Sequence, residues 1–310
     1  GFFAYRSLVK KGPAGFSRER LLRLGLPTLF YMLVLHPLII FGINPNGYDF
    51  GSKPAAYLHF ITSGDFVGAT GPMWFAAALL IFSLVFAALQ DARPYTCGPT
   101  LTSPAPPKAG AIWLWGLALV GVTFLVRTVE PVGRAVLNMQ LCYFPQYILA
   151  FATGAVAARQ GWLAALASSS TARRAGWMGL FLGPLALAGV VVAGGILKGA
   201  PFEAFAGGWN LRSLGLAAWE QLAGLGLGLG ALAFCSGNLN DSTPMSKWLS
   251  ERSFGVYLFH PVILILITVM LRPLHANAFF KVSILTAACL AGSFIVSDIA
   301  RRIPGFRALV

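Results

Sequence analysis

The chain has 310 residues, of which 57% are hydrophobic and only 11% charged, where a soluble domain carries about 25% charged residues. A surface so poor in charge cannot face water, so composition excludes a soluble protein and specifies an integral membrane one. The net charge of +13 does not mark a nucleic-acid partner, because the basic residues gather between apolar runs and not along one soluble face.

The first residue is Gly1, and "GFFAY" reads as the tail of a longer apolar segment, without the charged region or cleavage site of a signal peptide. Sequence is therefore expected upstream of it. Eight stretches then have the length and apolarity to cross a bilayer, at about 24–43, 72–90, 111–129, 141–158, 176–197, 214–236, 253–272 and 279–300. Helices are expected throughout, since a spanning segment must satisfy its own backbone polar groups, and the runs lack the alternation of barrel strands. The predicted fold class is an all-α, polytopic transmembrane bundle, read as one unit over 1–310.

Segments 6–23, 91–110, 159–175, 237–252 and 301–310 hold 16 of the 23 lysines and arginines, and the alternating segments hold 7. The positive-inside rule then places both ends in the cytoplasm. Segment 91–110, rich in proline and small residues, reads as an irregular cytoplasmic linker. The outer segments 44–71 and 198–212 mix aromatics with polar groups. They fit either interfacial aromatics or a platform for a sugar-like acceptor.

Cys97, Cys142, Cys235 and Cys289 are too scattered for a disulfide framework or a zinc site, and no metal is expected. "GLGLGLG" at 224–230 lacks the lysine of a phosphate loop. Its pairs Gly224/Gly228 and Gly226/Gly230 read as close helix packing.

The residues needing explanation are polar ones inside apolar runs. In "SFGVYLFHPVILILI", Pro261 removes a backbone donor and frees the carbonyl of Tyr257. Tyr257 and His260 share a helix face, and intramembrane ionisable groups are costly. His260 is either a quietly bonded histidine or a site residue. A second pair, His36–Pro37, stands nearer the outer end of the first span. Arg20 and Arg23, three apart at the cytoplasmic mouth of that span, are either topology anchors or an anion site. Glu220 is either a snorkelling residue or the partner of another span. Asp298 reads as compensated by the adjacent Arg301 and Arg302.

Taken together, these segments resemble the acyltransferase-3 family of membrane acyltransferases. "GFFAYRSLVKKGPAGFSRERLLRLGLP" is similar to the end of that family's second span and the start of its third, with its Arg-x-x-Arg pair at Arg20 and Arg23. "GPMWFAAALLIF" (71–82), containing Trp74, is similar to its Gly-Pro-x-Trp-Phe span start. "YFPQYILAFATGAVAARQGWL" (143–163), "LSERSFGVYLFHPVILI" (249–265) and "RRIPGFRALV" (301–310) match later parts in order.

The resemblance implies about ten spans in the whole family, so the first span and most of the second would precede Gly1, and with them a catalytic arginine and histidine. It also implies an acyl-CoA co-substrate on the cytoplasmic side, with no bound cofactor. The acceptor would be a glycan or other hydroxyl, and the setting a bacterial inner membrane. His260 would then be a catalytic-cavity group, Arg20 and Arg23 would hold the acyl-CoA, and Tyr257, Trp74 and His36 would line the cavity or acceptor path. A transporter of a small polar or anionic solute is the rival class. Few intramembrane carboxylates and no inverted repeat speak against it. A noncatalytic scaffold would not need polar groups at matched depths.

Overall fold

The computed structural model describes residues 1–43, 52–92, 106–239 and 242–306. Among the described residues, eight helical segments are long and apolar enough to cross a membrane, as many as the sequence predicts. They are α1 (Phe2–Ile43), α3 (Trp74–Ala92), α4 (Ala109–Arg127), α5 (Phe144–Gln160), α6 (Ser170–Ala193), α7 (Leu211–Asn238), α8 (Pro244–Met270) and α9 (Ala278–Arg302), with a shorter helix α2 (Lys53–Thr62) between the first two. Among the described residues the only β feature is an isolated Val136–Met139 bridge. Most of the linker expected at 91–110 lies outside the described residues. Residues 106–108 are irregular, and α4 begins at Ala109.

Residues 6–23, expected as a segment between spans, are helical. The helix from Phe2 is interrupted at Gly12, whose φ of 70° lies in the left-handed region. It restarts at Pro13, which suits a first helical turn because it has no N–H to leave unpaired. Beyond Arg20 the run continues through wide π-turns at Leu21–Gly25, Tyr31–Leu35 and Leu38–Ile43.

The break at Gly12 is also a boundary between two compact units. One comprises Gly1–Gly12 with Pro94–Asp241, the other Pro13–Arg93 with Ser242–Val310. In the first, α6 lies closely on α7. A Cβ added to Gly226 would come 2.7 Å from the carbonyl oxygen of Ala175, and Gly176 and Gly230 face each other Cα to Cα. Gly224 and Gly228 face open space. Only one of the two glycine pairs in "GLGLGLG" is therefore a packing pair. Asn210 caps α7 through Oδ1, accepting from the amides of Arg212 and Ser213 at 2.9 and 3.0 Å.

The second unit packs Leu24, Tyr31 and Leu35 of α1 with Met73, Ala76 and the Leu258–Phe259 pair of α8. Thr243 starts α8 with a reciprocal capping box to Ser246. On α9, Cys289, Ser293 and Ser297 recur every four residues and so share one face. Ser293 and Ser297 are fully buried, and Ser297 donates to the carbonyl of Arg252 at 3.0 Å. Asp298 takes Arg252 of α8 at 2.5 Å and Arg302 at 2.6 Å, while Arg301 turns to Glu251. Of the two arginines expected to compensate Asp298, Arg302 does so, while Arg301 turns away and Arg252 from a neighbouring span takes its place.

Candidate functional site

Within the second unit, α1, α8 and the corner Gly71–Pro72 bring together four of the predicted residues or their neighbours. The corner exists because Gly71 has a φ of 48° and a Cβ there would meet the Tyr31 ring, 2.5 Å from its hydroxyl. The Tyr257 hydroxyl donates to the carbonyl of Pro72. Tyr257 is the central residue of α8, so this contact is made from the middle of the helix and not from an end. Non-helical backbone within a membrane is tolerated where protein encloses it or a polar cavity is lined by it.

His260 is half-buried beside Tyr257, with ring centroids 6.2 Å apart. Its Nδ1 lies 2.8 Å from the carbonyl oxygen of Tyr257, the group that Pro261 deprives of a helical donor. A carbonyl only accepts, so Nδ1 carries the proton, and a neutral His260 presents Nε2 as an acceptor. Cys289 of α9 donates to the His260 carbonyl at 3.7 Å.

The His36–Pro37 pair meets the same backbone problem differently. Pro37 frees the carbonyl of Leu33, and the Tyr57 hydroxyl of α2 donates to it at 3.0 Å. His36 stacks on Phe60 at 5.9 Å and lies 6.2 Å from Tyr31, while its buried Nδ1 has no hydrogen-bond partner among the described residues. The two histidines thus flank a pair of tyrosines that both meet the Gly71–Pro72 corner. Trp74 starts α3 just past that corner, half-buried, with its ring 5.9 Å from Phe75.

Arg20 and Arg23 do not form a symmetric clamp. The guanidinium of Arg20 lies 4.9 Å over the ring of the fully buried Phe16, and its buried Nε has no partner. Arg23 is 71% exposed and reaches back to Glu19 at 3.4 Å. The sequence gives no sign of this pairing, because the arginines around Glu19 dominate the local charge.

A second polar centre stands in the first unit. Arg127, the last residue of α4, has a side chain with 0% exposure and donates through Nη2 to Glu220 Oε2 of α7 at 2.7 Å. Its guanidinium also lies 5.3 Å over the Tyr143 ring. Gln221 Nε2 donates to Gln146 Oε1 at 2.5 Å and to Glu220 Oε1 at 3.3 Å. Glu220 is therefore the bonded partner of another span. The sequence offered Glu220 as a candidate but gave no sign that Arg127 was its partner, since an arginine at a span end reads as an interfacial one.

A family model for an acyltransferase domain matches residues 1–299, nearly the whole chain. The chain belongs to the acyltransferase-3 family. No curated protein and no solved structure matches it. Four of the five segments carrying the resemblance, including the Gly-Pro-x-Trp corner and the His260 segment, lie inside the matched range. Membership and the eight apolar helices make this a multi-pass membrane acyltransferase, a class that moves an acyl group onto a hydroxyl acceptor.

Proposed function

We propose that this protein transfers an acetyl- or succinyl-type acyl group from cytoplasmic acyl-CoA to a hydroxyl of a glycan at a bacterial cell membrane, with both ends of the chain in the cytoplasm. The charge bias between alternating segments supports the orientation. The observation that carries the chemistry is the Nδ1 bond of His260 to Tyr257, which commits Nε2 to accepting a proton.

In the proposed step His260 carries the proton-accepting role that the resemblance assigns to a histidine upstream of Gly1, and the acceptor hydroxyl gives its proton to Nε2 as its oxygen attacks the thioester carbonyl. The C–S bond of the tetrahedral intermediate then breaks, and the thiolate of CoA takes the proton back from Nε2–H. Donors near the carbonyl oxygen stabilise its developing charge. Tyr257, Trp74 and His36 line the acceptor side in this reading.

Arg20 binds the donor's phosphates. Its Nε is buried without a partner and its guanidinium plane is held on Phe16, so it is oriented before a ligand arrives. Arg23 assists from an exposed position and must first release Glu19. Tyr31 lies about 16 Å further along α1 at about 1.5 Å per residue, so the donor's arm has to span roughly that distance to the corner.

The test is release of free thiol from acetyl-CoA by protein in detergent micelles or proteoliposomes, with and without glycan acceptors. Glycan-dependent release that falls in His260→Ala supports the reading. Glycan-dependent release unaffected by His260→Ala would remove His260 from the chemistry. No thiol release with any acyl-CoA would overturn the donor assignment.

A further inference from the structure

We infer that the Arg127–Glu220 centre of the first unit is a second binding site, for a neutral polyhydroxylated ligand such as a segment of a glycan chain. The first observation is the incomplete pairing of Arg127. Its side chain is wholly buried, with Nη2 on Glu220 and the buried thiol of Cys142 beside it, yet Nε and Nη1 have no oxygen or nitrogen acceptor among the described residues. A buried arginine serving structure alone would be expected to use its fork on the carboxylate or on carbonyls, because each orphan donor costs free energy. Two orphan donors at one guanidinium point to a group that completes the set.

The chemistry of the surroundings defines that group. Arg127 and Glu220 neutralise each other, so the centre lacks the excess positive charge that would select a phosphate or sulfate. Around the pair stand two amides, Gln146 and Gln221, and the half-buried ring of Tyr143 beneath the guanidinium. Planar amide, carboxylate and guanidinium groups beside an aromatic face suit vicinal hydroxyls and the C–H face of a pyranose. Glu220 keeps 23% of its side chain exposed and Gln146 is half-buried, so a ligand meets the centre at these two, with the wholly buried Arg127 behind Glu220.

The position fits a ligand arriving from one end of the unit. Arg127 ends α4, Gln146 lies in the first turn of α5, and Glu220 lies in the first half of α7. The turn before α7 is fastened to the same place, since the amide of Gly208 donates to the Arg127 carbonyl at 3.1 Å. That turn holds up Trp209, one residue on from the Gly208 amide bonded to Arg127, 77% exposed and with its ring 5.2 Å from Phe124 of α4. By the charge bias this end faces away from the cytoplasm.

The site rests on the acyltransferase reading only for its place in turnover; its ligand binding stands apart from it. The experiment titrates a neutral β-glucan hexasaccharide onto the purified chain in detergent, by calorimetry, with no acyl donor present. Two variants probe the site. Gln146→Ala leaves Gln221 bonded to Glu220 and so preserves the fold. A double variant, Arg127→Gln with Glu220→Gln, keeps volume and a neutral hydrogen bond while removing the charges.

Saturable binding is expected in the parent and in Arg20→Lys. About tenfold weaker binding is expected in Gln146→Ala, the loss of one good hydrogen bond. Absence of saturable binding, equal binding in Gln146→Ala and the parent, or binding of an anionic hexasaccharide alone would each overturn the inference. Glycan binding without thiol release would instead refute the proposed function and leave this site standing.

Discussion

His260 gives its Nδ1 proton to the carbonyl of Tyr257 at 2.8 Å, and Pro261 is the residue that left this carbonyl without a helical donor. Backbone repair and tautomer selection are therefore one interaction. His260→Asn keeps a side-chain N–H within reach of that carbonyl but has no second ring nitrogen. His260→Ala loses both. Turnover should fall by about 10²–10⁴-fold in both variants, as expected when a proton-transfer group is removed. Thermal stability should drop by about 1–3 kcal/mol in the alanine variant alone, through the unsatisfied carbonyl. Equal stability loss in both would show that the bond contributes nothing the asparagine can replace.

The glycine run of α7 separates two effects within three residues. Gly228 faces open space, whereas Gly230 meets Gly176 of α6 backbone to backbone. Gly228→Ala should leave stability unchanged or raise it by up to about 1 kcal/mol through helix propensity. Gly230→Ala forces the helices apart and should cost about 1–3 kcal/mol. Denaturation midpoints in one detergent decide this, and a destabilised Gly228→Ala would mean that α7 packs through a different face.

Gly71 is where the corner is most tightly drawn. Its left-handed backbone and the Tyr31 ring against its α-carbon leave no room for a side chain. Gly71→Ala should destabilise the second unit by about 1–3 kcal/mol. It should also lower turnover, because the shift passes to Pro72, whose carbonyl holds the Tyr257 hydroxyl. Tyr257→Phe removes that hydrogen bond alone and should cost less, about 0.5–1.5 kcal/mol. A Gly71→Ala protein of parental stability and turnover would show that the corner is looser than its geometry implies.

What could be read from the sequence was whatever depends on local pattern. Run length and apolarity gave the eight spans, and Pro261 announced an orphan carbonyl at Tyr257. Which group would satisfy it was not legible. His260 does so for its own helix, whereas at Leu33 the donor is Tyr57, brought in by the fold of α2 from 24 residues away. Long-range pairs were hidden for the same reason. Arg127 and Glu220 are 93 residues apart, and Arg252 and Asp298 are 46 apart. Nearest-neighbour charge logic assigned Asp298 to Arg301 and Arg302; the geometry keeps Arg302, turns Arg301 to Glu251 and adds Arg252 from another span. The four-residue spacing of Cys289, Ser293 and Ser297 places them on one face of α9, and only packing shows that this face is turned inward.

The orientation proposed from charge has a direct test at Cys97, which lies outside the described residues. It belongs to a basic segment, so an impermeant thiol reagent added to intact cells should leave it unlabelled until the membrane is opened. Labelling from outside would reverse the topology and move Arg20 away from the donor side.

Arg20 and Arg23 offer the sharpest discrimination, because their surroundings differ while their sequence context does not. Lysine at either position keeps the positive charge and so keeps the topology signal, but it loses the planar fork. At position 20 the fork is held on Phe16 with a buried, unpartnered Nε, so in the proposed reading it is set for the donor before binding. At position 23 the group is mostly exposed and shares its charge with Glu19, and an exposed pair of this kind is worth little. A charge-assisted hydrogen bond contributes about 1.5–3 kcal/mol, or roughly ten- to hundredfold in affinity. Arg20→Lys should therefore raise the KM for acyl-CoA by that factor, with the acceptor KM unchanged. Arg23→Lys should change the donor KM only about two- to threefold. Parental donor KM values in both variants would return the two arginines to the role of topology anchors. A larger effect at Arg23 would place the donor's phosphates on the exposed side of α1, beyond Glu19.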